Sequence, residues 1–136
     1  MTAELPAPEA PCPCGGGAFG ACCAPVLAGA PAPTAEALMR SRYTAFALGD
    51  VAHLRRSWHP DTCPTDLALD GDQRWLGLKV RGTAAGGEED ELGTVEFVAR
   101  YKIGGRGHRL HELSEFVRLD GRWVYLRGHA AEGGHA

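Results

Sequence analysis

Apolar positions recur with two different periods along this chain, and the change between them falls near residue 74. Before it the spacing is helical. Ala35, Leu38, Met39, Ala45 and Phe46 make one stripe, with Thr34 placed as N-cap and Glu36 in the first turn, where the helix dipole favours an acid. Gly49 ends that helix and Asp50 caps a second, whose buried face is Val51, Leu54 and Trp58. Pro60 stops the chain after His59, which is accounted for by capping the last carbonyls. After residue 74 the period is two. Leu76, Leu78 and Val80 alternate in a first strand. Val95, Phe97, Ala99 and Tyr101 alternate against Thr94, Glu96, Arg100 and Lys102 in a second. Residues 110–119 and 122–127 give a third and fourth, joined by an Asp120-Gly121 hairpin turn. Helices first and an antiparallel meander after them define an α+β fold.

The rest of the chain lacks either period. Residues 1–11 read as a disordered Pro/Ala/Glu tail, 24–33 as a connector too irregular for a helix, 62–74 as a loop and 129–136 as a frayed end. The division expected is therefore a tail, a cysteine-rich segment with its connector over 12–33, one domain over 34–128 and a second tail.

Composition narrows the function classes. Apolar residues make up 44% and charged residues 23% of 136, which is ordinary for a globular chain. A net charge of −3 supplies no broad cationic field and argues against nucleic acid as a partner. Only Lys79 and Lys102 are lysines, a bias read as coding preference rather than chemistry. No stretch reaches the ~20 apolar residues of a membrane span. The first residues carry Glu4 and Glu9 with no basic group, unlike a secretory signal, so a cytoplasmic location is expected.

The candidate chemistry is in the cysteines. Cys12, Cys14, Cys22 and Cys23 crowd into twelve residues, while Cys63 stands alone as an ordinary thiol. Zinc takes four thiolates at about 2.3 Å in a tetrahedron. A Cys-Pro-Cys-Gly turn directs two sulfurs inward, and Gly15, Gly16 and Gly17 permit the positive φ that returns the chain to the second pair. Two disulfides, or four separate thiols, are the alternatives. In a reducing compartment a metal is the better reading, and a site closed by four cysteines is structural.

Cys12-Pro-Cys-Gly-Gly-Gly with Cys22-Cys23-Ala-Pro resembles the SEC-C zinc motif. The stretch from Thr34 through Met39-Arg-Ser-Arg-Tyr43 to Asp50, together with Trp58-His59-Pro60, Gly93-Thr-Val-Glu-Phe-Val-Ala-Arg-Tyr101, Leu110-His-Glu-Leu-Ser-Glu-Phe116 and Asp120-Gly-Arg-Trp123, is similar to the bacterial YchJ family. The resemblance implies one structural Zn²⁺ and an NTF2-like (cystatin-like) cone, in which N-terminal helices pack on a curved antiparallel sheet around a pocket. It implies no established activity. Gly16 stands where SEC-C motifs usually carry Ser, and the loop 17–21 has no basic residue.

Within such a cone the polar residues on apolar stripes become candidates. Arg42 lies on the apolar side of the first helix beside Tyr43, and a buried guanidinium must be paired; Glu96 and Glu112 are the expected partners. Glu112 and Ser114 share a strand face with Leu110 and Phe116, and become pocket groups if that face is concave. Trp58, His59 and Arg100 complete the set of pocket candidates, with Trp58, Trp123 and Tyr125 also read as core. Two functions are open, beside a ribosome or secretion-machinery contact that the SEC-C resemblance alone implies. One is a zinc-stiffened adaptor that holds a protein through its knuckle or a small molecule in its pocket, with a homodimer through the sheet as a further expectation. The other is an isomerase- or hydrolase-type enzyme with Glu112 or Glu96 as general base and Arg42 stabilising an anion.

Overall fold

The computed structural model describes residues 5–69 and 72–130. A 3₁₀ turn (Phe19–Ala21) and one helical turn, α1 (Ala24–Leu27), precede the helices α2 (Ala35–Leu48) and α3 (Val51–Arg56). Four strands follow: β1 (Gln73–Ala85), β2 (Leu92–Ile103), β3 (Arg106–Leu119) and β4 (Arg122–Ala130). They form one sheet in the order β1-β2-β3-β4, each pair antiparallel.

Local chemistry sets the helix ends. Thr34 Oγ1 accepts the Ala37 N–H at 3.0 Å, and Gly49 closes α2 in the left-handed region at φ 79°. Asp50 Oδ1 accepts the His53 N–H at 3.0 Å and starts α3. Each side-chain cap is worth about 1 kcal/mol. The inner sheet face, with Val95, Phe97, Ala99 and Phe116, packs on Leu38, Met39 and Tyr43 of α2 to form the core. Bulges between Trp75 and Gly77, Val80 and Gly82, and Glu115 and Phe116 bend the strands and curve the sheet round the helices. No helix among the described residues is long and apolar enough to cross a membrane.

Several expectations change. Leu76 is 57% exposed and Trp75 faces inward instead, because the bulge turns Leu76 onto the outer face. The connector over 24–33 contains α1, in which Pro25 occupies the first turn, where its missing N–H costs nothing. Part of the N-terminal tail is held: Phe19 and Gly20 donate to the carbonyls of Ala10 and Pro8, both at 2.8 Å. Strand β1 takes in residues 73–74 of the expected loop, β3 starts four residues before Leu110, and β4 runs on to Ala130. Residues 1–4, 70–71 and 131–136, and the parts of the tails and loop that fall on them, lie outside the described residues.

Candidate metal centre and ligand pocket

The cysteine segment folds as a knuckle. Cys12 N–H donates to Gly17 O at 2.7 Å, Gly15 N–H donates to Cys12 O at 2.9 Å, and Pro11 bridges Ala18. Gly15 and Gly17 sit at φ 83° and 124°, where a side chain would be strained. The chain then turns over buried Phe19 and delivers Cys22 and Cys23 to the first pair. All four Sγ atoms lie within 4.8 Å of one another. Cys14 stands 3.4 Å from Cys22 and 3.7 Å from Cys23, and Cys22 is 4.0 Å from Cys23. A tetrahedron with 2.3 Å arms has edges of about 3.8 Å, so the sulfurs are already spaced for a tetrahedral thiophilic cation. A Cβ on Gly16 would come 3.0 Å from Cys22 Sγ and 3.2 Å from Cys14 Sγ; glycine leaves the sulfurs room.

Helix α2 supplies the rest of the setting. Arg40 Nη1 donates to the Cys14 carbonyl at 3.0 Å and lies 3.8 Å from its sulfur. Thr44 Oγ1 donates to Cys23 Sγ at 3.3 Å and sits 3.7 Å from Cys12 Sγ. Within the cluster the Cys23 thiol, followed by Cys22 and Arg40, pulls the Cys14 pKa down to about 5 against its burial. Burial and the Cys14 thiolate push Cys22 up to about 12, and the bond to Cys14 together with burial raises Cys23 as well. A bare cluster thus holds one thiolate well; four together require a cation.

On the opposite side of α2 the sheet leaves a cavity of about 260 Å³. Its walls are Met39, Tyr43, Phe46, Trp58, Trp75, Phe97, Phe116 and Tyr125, with Arg42, Gln73, Glu112 and Ser114 as polar groups. Glu112 Oε2 accepts Ser114 Oγ at 2.7 Å and Tyr125 Oη at 3.3 Å. Gly128 lies under that carboxylate: a Cβ there would fall 2.0 Å from Oε2. The Arg42 guanidinium, 5% exposed, lies over the rings of both Trp58 and Tyr125, 4.7 and 4.5 Å from their centroids. Its Nη1 donates to Leu54 O at 3.0 Å and Ser57 Oγ at 2.8 Å. Burial lowers its pKa to about 10, which leaves it charged at neutral pH.

The structure thus brings Arg42, Tyr43, Trp58, Glu112 and Ser114 together and excludes three other candidates. Glu96 points to the outer face, where its carboxylate meets His111 Nε2 at 2.7 Å. Arg100 shares that outer face with Arg109, its cross-strand partner. His59 sits beyond α3, its Nδ1 accepting the Asp61 N–H at 3.0 Å. Arg42 forms no salt bridge with Glu96 or Glu112; two aromatic faces and two neutral oxygens replace the expected acid.

A family model described as "YchJ, middle NTF2-like domain" matches residues 34–128. The chain belongs to the YchJ family. A UPF0225 protein of Ralstonia nicotianae is 57% identical over 94% of this chain and 98% of its own length, and one from Streptomyces coelicolor is 51% identical over 89% and 96%. The solution structure of a SEC-C motif containing protein from Rhodopseudomonas palustris superposes with a TM-score of 0.80, at 36% identity, over 90% of this chain and all of that one. A SEC-C motif containing protein from Psychrobacter arcticus gives 0.68 at 27% identity, over 89% and 81%. The fold is NTF2-like, with a cysteine cluster compatible with metal at its N-terminus.

Sequence reading of this YchJ member passed over Arg40, Thr44 and Gly128. Arg40 and Thr44 are spaced i,i+4 on the polar side of α2, a pattern shared with any solvated helix face. Gly128 falls one residue past the expected end of the fourth strand; only with β4 running on to Ala130 does it become a glycine inside a strand, which marks a close approach.

Proposed function

We propose that this protein is a zinc-stapled binding module whose NTF2-like cavity takes a small planar molecule. The observation that carries this is the double use of α2. Arg40 and Thr44 contact the sulfur cluster, while Met39, Arg42, Tyr43 and Phe46 line the cavity from the other side. Four cysteines close a tetrahedral site and leave no position for a substrate, so the metal's contribution is to fix the knuckle against the helix that walls the pocket. Zinc is the cation that thiolates at this spacing suit.

The cavity wall is aromatic, with an acceptor at Glu112, where both intramolecular bonds end on Oε2 and Oε1 is left for a ligand donor. The Nε1 of Trp58 is buried without a partner among the described residues, the sort of orphan donor that a ligand acceptor satisfies. A flat aromatic carrying one donor and one acceptor fits this set. Elemental analysis of the purified protein should find one zinc per chain, absent from a Cys22→Ser/Cys23→Ser variant. Ligand-observed NMR with a library of small heteroaromatics should give binders that Glu112→Gln weakens at least tenfold. No metal in freshly reduced protein removes the first half of the reading; binders indifferent to Glu112→Gln remove the second.

An enzymatic reading has one observation in its favour: no arginine or lysine is salt-bridged to Glu112, which borders an open cavity. As a general base it would take a proton from a bound carbon acid. Deuterium entering a bound ligand in heavy water, and failing to enter with Glu112→Gln, would establish that step.

A further inference from the structure

The net charge of −3 conceals a separation of charge that only the strand register brings out. On the sheet face turned away from the helices, Arg74 lies directly opposite Lys102, and Arg100 directly opposite Arg109. Lys79 and Arg81 extend that face along β1 and join Arg100 and Arg109 in lining a shallow groove around Val98. All six side chains are exposed; the four that line the groove, Lys79, Arg81, Arg100 and Arg109, form no salt bridge among the described residues, while Asp72 shares a neighbouring hollow with Arg74 and Lys102. The six include both lysines of the chain. Glu96, at one margin of the face, is bound to His111. The main run of acids lies elsewhere: Glu88, Glu89, Asp90 and Glu91 occupy the exposed β1–β2 turn. Like charges directly opposite across a ladder destabilise a sheet. Two such pairs side by side work against the fold, and a polyanion laid across them would relieve the repulsion.

We propose that this outer face binds the phosphate backbone of a nucleic acid without reading its sequence. The chemistry favours phosphate over an acidic protein surface on two counts. Four of the six groups are arginines, whose planar guanidinium grips phosphate oxygens bidentately. The apolar side chains lining the groove are Leu76, Leu78 and Val98, and Leu78 packs inward on the core, which leaves too little for the buried aromatic or aliphatic anchor that a protein interface needs. No aromatic ring lines this groove, so bases are left unread and affinity comes from charge.

The test is a fluorescence anisotropy titration of the full-length protein with a mixed-sequence single-stranded RNA of about 20 nucleotides, long enough for one site. With four to six phosphates engaged, log K should fall with log salt at a slope of about −3 to −4. Arg100→Gln/Arg109→Gln should weaken binding at least tenfold at low salt and flatten the slope by about 1.4, for two charges removed. Because the substitution removes a repulsive pair, its melting temperature should be unchanged or higher, which separates lost binding from lost fold. Lysine acetylation gives a second readout confined to this face: RNA should protect Lys79 and Lys102 together. An unchanged slope in the double variant, or acetylation indifferent to RNA, overturns the proposal. So does stronger protection by poly-glutamate than by RNA, which would mark an acidic protein as the partner. Salt-sensitive self-association that disappears when Glu88 and Glu89 are changed to glutamine also overturns it, since the occupant would then be a second copy of this chain.

Discussion

The sulfur cluster and the cavity lie on opposite sides of one helix and are held together by different forces. The knuckle has almost no apolar pattern. Beyond Phe19, which packs into the core, its shape comes from glycine turns, a few backbone hydrogen bonds and four sulfurs that repel one another as thiolates unless a cation sits between them. The cavity is the opposite case: alternating strands and a helical stripe bury Val95, Phe97 and Phe116 against Leu38 and Met39, and no cation is needed for that. On the reading proposed above, one region is conditional on metal and redox state, and the other is not. Helix α2 is where the condition can pass from one to the other.

Metal removal is the strongest way to break this comparison. Chelation, or Cys14→Ser, should cost several kcal/mol, since binding energy at a structural zinc site is folding energy. Hydrogen exchange should show amides of residues 11–23 losing protection while the β2–β3 ladder keeps it. If the sheet loses protection to the same degree, the two regions are one cooperative unit and the distinction fails.

Next in size is a pH effect confined to the domain side. His53 is 2% exposed and its Nε2 sits 2.9 Å from Ser41 Oγ, tying α3 to α2. Burial, aided by Arg56 and Arg42 and opposed by Asp50, lowers its pKa from 6.5 to about 4. The unfolded chain therefore binds a proton at His53 that the folded chain refuses. The stability this represents is fully present above pH 6.5 and is lost as pH falls through about 4, on the order of 3 kcal/mol in all. Metal release also follows acid, so the measurement is the difference between wild type and His53→Gln in urea midpoints across that window. The variant's profile should be flatter; parallel profiles would mean that His53 is not the titrating group.

Gly128→Ala sharpens the cavity half. Its Cβ would fall 2.0 Å from Glu112 Oε2, so the carboxylate must leave Ser114 and Tyr125 or the strand must shift, at about 1–3 kcal/mol. Glu112→Ala in the same chain should remove most of that cost, and the double-mutant cycle reads the coupling directly. Additive losses would show that Gly128 serves the strand rather than the carboxylate.

How much of this was legible beforehand divides along the same line. The convergence of the four sulfurs follows from four cysteines in twelve residues, because so short a segment has few ways to keep four thiols apart. The caps at Thr34, Gly49 and Asp50 and the inward face of Val95, Phe97 and Ala99 follow from local rules that the tertiary structure does not override. Bulges were invisible. One of them put Trp75 where Leu76 was expected, and no pattern of alternation announces an extra residue. Arg42 was correctly placed as buried but given the wrong partners, because charge balance suggests an acid where two aromatic rings and a carbonyl serve. Glu96 and Glu112 could be separated only by phase: even numbers face outward on β2 at Glu96 and inward on β3 at Glu112. The basic outer face depends on cross-strand neighbours 9 to 28 residues apart, which composition averages away.

The smallest effect tests whether α2 joins the two regions or merely separates them. Thr44→Val keeps the shape of the side chain and deletes one hydroxyl, which donates to Cys23 Sγ and sits beside Cys12 Sγ. Thr44 is fully buried, so its hydroxyl has no water to turn to. The loss in stability should be modest, about 1 kcal/mol, because one hydrogen bond goes and a methyl fills its place. Its kinetic effect should be larger. Hydrogen bonds to metal-bound thiolates damp their basicity and slow their capture by protons or oxidants, and groups around a metal's ligands commonly change affinity by 10–100-fold. Zinc transfer to a chromophoric chelator should therefore quicken at least tenfold in Thr44→Val, with Arg40→Met acting in the same direction from the Cys14 side. If cavity ligands then slow zinc loss in wild type but not in Thr44→Val, the helix transmits occupancy between its two faces. If ligand and metal ignore each other in both proteins, the knuckle and the cavity share a helix and nothing more.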